Sequence, residues 1–167
     1  AFAGIGAAIG KTIKTSAKFE ALETRLVALK GSVDEGRKAF EFFNKVAKTT
    51  PFQLENVVEA GAQLEAFGAD SEKTLKATAD LAAFMGTDIV DAANAFGRAF
   101  AGGAGAADVL RDRGVLMQVK LKTGFDDLSK MTLPQFQEAL VDTLTDPEGK
   151  ISGATDLLSQ TFSGLVS

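Results

Sequence analysis

Phe19, Leu22, Leu26, Leu29 and Val33 recur at alternating intervals of three and four residues. That stripe constrains the segment to helix, because only a 3.6-residue period brings such positions onto one face. Phe2, Ile5, Ile9 and Ile13 continue the period upstream, with Thr12 and Ser16 between the two halves. The spacing predicts a helix over about residues 2–30, roughly 42 Å long, ended by Gly31. Within it Gly6 and Gly10 form a G-x-x-x-G pair that lets another backbone approach closely.

The opening run GIGAAIGKT at 4–12 ends in Gly-Lys-Thr, which raises the question of a phosphate-binding loop. The loop G-x-x-x-x-G-K-[ST] would need glycine where Ile5 stands, and G-x-G-x-x-G would need one at Ile9. Neither pattern is met, and the run reads as the first turns of the long helix.

Helical spacing and caps dominate the rest of the chain. Ser32-Val33-Asp34-Glu35 reads as a capping box opening a helix with Ala39, Phe42, Phe43 and Val46 inward. Thr50-Pro51 reads as N-cap and first helical residue of the next, carrying Leu54, Val57, Val58, Gly61 and Leu64. Asp70 or Ser71 begins a helix to Met85, and Thr87 begins another lined by Ile89, Ala93, Phe96 and Phe100. In the latter, Ala93, Phe96, Gly97 and Phe100 are expected to pack tightly against a neighbouring helix. The run AGGAGAAD at 101–108 reads as a loop, because it has no Lys or Arg to meet a phosphate.

Met117, Val119 and Leu121 alternate with polar residues, which predicts a strand and a small hairpin within 117–132. Thr132-Leu133-Pro134-Gln135 caps a further helix, and a last one starts near Ser152. The expected class is all-α: a long N-terminal helix, then a small antiparallel helical bundle, with that one hairpin. The expected divisions are an apolar, coiled-coil-like helix at 1–31, a bundle at 32–115, and a connector with C-terminal helices at 116–167.

The chain has 167 residues, of which 46% are hydrophobic and 24% charged, enough to bury a core and too apolar for disorder. Its net charge of −4 argues against a broad phosphate-binding surface. Lys11, Lys14 and Lys18 share a helical face that reads as solvated. There is no Cys and no His, which removes the thiolate nucleophile, the usual general base and the commonest metal ligands. Trp and Tyr are also absent while Phe numbers 13, so every ring is purely apolar. Adjacent Asp126 and Asp127, and Glu20 with Glu23, are the remaining candidates for acid–base work. They read as solvated carboxylates, and no catalytic residue, cofactor or metal is expected. No apolar run reaches the length of a membrane span, AFAGIGAAIG at 1–10 coming closest.

From Phe19 to Val115 the order of motifs resembles phage tail tape measure proteins. The series is FEALETRL at 19–26, SVDEGRKAFEF at 32–42, TPFQLENV at 50–57, LEAFG at 64–68, DLAAFMG at 80–86, NAFGRAFAGGAG at 94–105 and VLRDRGV at 109–115. The C-terminal QTFSGLVS resembles the place where such proteins run on into further helix. The resemblance implies a non-enzymatic structural protein of the virion that helps set tail length inside the tail tube or tip. It implies assembly in the host cytoplasm, departure from the tube at genome ejection, and partners among tail tube and tail tip or baseplate proteins. No specific nucleic-acid binding is expected, and a pI near 4.9 suits contact with passing DNA without adhesion. A fully helical chain of this length would span only about 250 Å, so a compact domain is expected in preference to the ruler itself.

Self-association is expected through the first helix, by Ile5, Gly6, Ile9, Gly10, Ile13, Phe19, Leu22, Leu26 and Leu29, in two or three copies. Two alternatives stand beside the structural role. One is a membrane-active helical protein whose apolar N-terminal segment contacts and enters the host membrane during genome delivery. The other is a generic helical adaptor.

Overall fold

The computed structural model describes the backbone of residues 10–166 and the side chains of residues 17–160. The chain is all-helical, and no strand occurs among the described residues. The helices are α1 (Gly10–Lys30), α2 (Val33–Lys48), α3 (Leu54–Ala66), α4 (Ser71–Met85) and α5 (Ile89–Gly102). They continue with α6 (Asp108–Asp112), α7 (Val115–Thr123), α8 (Leu133–Thr145) and α9 (Ala154–Val166).

The first two helices form an antiparallel pair. Val27 meets Gly36, Glu23 pairs with Arg37, and Phe19 lies beside Phe40 with ring centres 6.3 Å apart. Helix α3 runs parallel to α1, since Lys18, Arg25 and Lys30 meet Glu55, Glu59 and Glu65 in ascending order. Helix α5 packs against α3 and α4, and α8 and α9 close over α4. The core is one cluster of buried side chains, with Leu26, Phe43, Leu64, Leu81, Phe96, Leu110, Phe136 and Leu144 among its largest members.

Glycine sets three of the close approaches. A methyl group at Gly36 would strike the backbone of Val27, at Gly61 the ring of Phe43, and at Gly97 the ring of Phe67. Each glycine removes a side chain where a neighbour must come within backbone distance, which offsets its cost of up to about 1 kcal/mol in a helix.

Several caps form as the sequence predicts. Asp70 accepts from the Glu72 amide, and Thr132 and Gln135 complete a reciprocal capping box before α8. Ser32 accepts from the Glu35 amide, but the Glu35 carboxylate faces Lys38 at 3.6 Å, so that cap is the serine's alone. Thr50-Pro51 opens no helix. Residues 50–53 bend to carry Phe52 against the core, and α3 starts at Leu54 with Gln53 before it. Helix α5 likewise starts after Asp88, one residue later than Thr87 suggested.

The hairpin expected within 117–132 is not formed. Residues 115–123 are helix α7, bracketed by Gly114 and Gly124 at φ of +82° and +76°. Val115, Leu116 and Val119 are buried on the helical period, while Met117 and Leu121 point to solvent. The alternation was real in sequence, but it put two apolar residues outside. Burial of one face decides between periods, and here 3.6 wins.

Candidate functional site

The first-helix stripe is shared between the interior and regions beyond description. Ile5, Gly6 and Ile9 lie outside the described residues. Gly10 and Ile13 lie in the backbone of α1, with side chains outside the described set. Leu26 is fully buried, and Phe19 and Leu22 are partly buried against the core. Leu29 is 40% exposed and the neighbouring Val33 55% exposed. Helices α2 and α3 thus cover the lower half of the stripe within one chain. The part of the stripe left exposed, among residues with described side chains, is the Leu29–Val33 corner.

A polar latch that the sequence does not announce closes this region. Lys30 Nζ lies 2.6 Å from Glu65 Oε1, with both side chains about five-sixths buried. The same oxygen accepts the Ser71 amide at 3.0 Å and its hydroxyl at 2.7 Å. Burial pulls the Lys30 ammonium down, but the hydrogen bond and charge of Glu65, with Asp70 and Glu72 behind it, outweigh this and hold it above the usual lysine value. Burial pushes Glu65 up, but Lys30 and the two Ser71 bonds outweigh it and hold it below the usual carboxylate value. The latch ties the end of α1 to the α3–α4 connection. Its signal was dispersed over residues 30, 65 and 71, which no spacing rule connects.

On α5, Ala93 and Phe96 are fully buried, and Phe100 stacks on Phe96 with centres 5.7 Å apart. Gly97 lies under the Phe67 ring. The helix end is held by a side chain from far along the sequence, as Gln137 Nε2 donates to the Phe100 carbonyl at 2.7 Å. Arg113 does the same for α4, donating to the Met85 carbonyl at 2.6 Å.

The carboxylates considered for chemistry are occupied structurally or solvated. Glu23 pairs with Arg37, and Asp126 is exposed. Asp127 accepts the Ser129 hydroxyl and amide, and these two bonds lower its pKa. Arg111 pairs with Asp108 at 2.8 Å. Asp80 is the one buried carboxylate among the described residues, accepting the amides of Gly153 and Thr155 at 3.1 and 3.0 Å. It supplies from α4 the cap that the first turn of α9 lacks in its own sequence. No group of three metal-ligating side chains occurs among the described residues. No described helix is long and apolar enough to cross a membrane.

What remains is exposed apolar surface on and after α7. Met117 and Leu121 stand one helical turn apart on the outer face of α7, 56% and 71% exposed, and Phe125 follows at 45%. Gaps open on both flanks, one lined by Arg111, Lys120 and Asp127, the other by Lys122, Asp146 and Lys150. Met117 and Leu121 are visible in the sequence, but as strand spacing. Comparison with known protein families, curated proteins and solved structures finds no match for this chain.

Proposed function

We propose that this chain is a structural, non-enzymatic domain of the phage tail tape measure type, seated among tail components and active in tail assembly. The observation that carries the reading is the ordered motif series from Phe19 to Val115. Support comes from what its residues do: FEALETRL supplies Leu22 and Leu26 to the core, and NAFGRAFAGGAG supplies Phe96 and the glycine beneath Phe67. Each segment of the series contributes at least one buried side chain to the core. The reading carries an arrangement too, a long first helix leading into an antiparallel bundle. Its working surfaces are then the α7 face and the Leu29–Val33 corner, against tail tube or tail tip proteins or a second copy.

Two substitutions test this in assembled particles viewed by electron microscopy. Phe96→Asp buries an unpaired charge and should yield few or malformed tails. The pair Met117→Ser with Leu121→Ser should leave the melting temperature unchanged and still reduce tail yield. Replacing Lys11 and Thr12 by Ala should leave tails intact. Normal tails from Phe96→Asp, or an ATP-dependent activity lost with Lys11, would overturn the reading.

A further inference from the structure

A cleft of about 290 Å³ lies where the end of α2, the middle of α4 and the start of α9 meet. Phe42, Val46 and Ala79 give it an apolar wall, and Lys45 and Lys76 stand exposed at its edge. Neither lysine has an ion-pair partner among the described residues. Thr50 and Thr155 also line it, and the Oγ1 atom of each is buried with no hydrogen-bond partner. Thr155 as a whole is 3% exposed. Orphaned buried hydroxyls are uncommon and costly, so a pair of them beside one cleft calls for an explanation.

The lining is rich in donors, although each threonine hydroxyl can also accept. Two hydroxyls and two ammonium groups can all donate, whereas the first turn of α9 is already satisfied by Asp80 and asks for nothing. The acceptor-only group at the cleft is Asp156, which is exposed at its rim. A head group that only accepts, on an apolar body, complements this set. From these groups we infer that the cleft binds a small monocarboxylate with an alkyl or aryl body, its oxygens taking the threonine hydroxyls and its charge meeting Lys45 and Lys76. The volume is near the lower end of ligand pockets, about 300 Å³, which suits a body of six to eight carbons in rough terms.

Octanoate is the probe, followed by amide chemical shifts in the full chain. Saturable shifts in the millimolar range should appear at Phe42, Val46, Thr50, Ala79 and Thr155. Acetate should produce none, and 1-octanol should bind more weakly than octanoate. Lys45→Ala with Lys76→Ala should weaken octanoate about fivefold. Thr155→Val should weaken it by about as much, while the melting temperature holds or rises, because an orphan hydroxyl is replaced by an isosteric methyl. Absence of shifts at the cleft, equal binding of octanol, or octanoate affinity unchanged in both variants would overturn the proposal.

Discussion

Helices α5 and α1 both lean on α3, and they do so by different physics. Across α5 the contact is made of surface alone: Ala92, Ala93, Phe96 and Ala99 are buried, and Gly97 lets the Phe67 ring sit on the backbone. Across α1 the contact is half apolar and half ionic. Leu26 is buried like any core residue, but Lys18, Arg25 and Lys30 each reach a glutamate of α3. Packing of the first kind has no charge to screen or titrate, whereas the second carries a part that salt and pH can weaken. Two helices on one scaffold therefore differ in what loosens them.

Substitutions sharpen this difference in a graded way. Phe96→Ala should cost about 3–5 kcal/mol in denaturant unfolding, because it opens a cavity where nothing polar can compensate. Leu26→Ala should cost about 2–5 kcal/mol, with the loss expressed first as exposure of α1. Gly97→Leu should cost on the order of 1–3 kcal/mol, since even its first carbon meets the Phe67 ring. A variant at Gly97 melting like the parent would remove the close approach from the account.

The ionic side responds to pH with a definite sign. Glu65 is held below its ordinary pKa, so its contribution is present above about pH 4.3 and is lost as pH falls through the folded value. Lys30 is held above its ordinary pKa, so its contribution is present below about pH 10.4 and is lost as pH rises through the folded value. Glu65→Gln should cost about 1–2 kcal/mol at neutral pH and flatten the acid limb of the stability curve. Lys18→Ala should change stability by less than about 0.5 kcal/mol, because both partners of its pair are well exposed.

Much of this was legible in the sequence, and the exceptions share a cause. Local signals were read correctly where the answer is local: the Thr132 box, the Asp70 cap and the apolar faces of α2, α3 and α5. Errors came where tertiary contacts decide. Thr50-Pro51 has the chemistry of a helix start, but Phe52 is drawn to the core and moves the start to Leu54. Met117, Val119 and Leu121 carry a strand period, but the core accepts Val115, Leu116 and Val119. The stripe of α1 reads in sequence as a self-association face, and its Phe19–Leu26 part packs against the core instead. The latch joins Lys30 to Glu65 and Ser71, 35 and 41 positions further on, and the cleft joins Thr50 to Lys76 and Thr155, 26 and 105 positions further on. No periodicity can report such distances.

Native-state hydrogen exchange of the α1 and α5 amides, at low and high salt, measures the contrast directly. Residues 19–30 should exchange through a partial opening of lower free energy than residues 92–100 require. High salt should widen that gap by screening the exposed Lys18–Glu55 and Arg25–Glu59 pairs, and acid should widen it by protonating Glu65, while α5 stays protected. Equal opening energies for the two helices, unmoved by salt and pH, would contradict the claim that they are held by different forces.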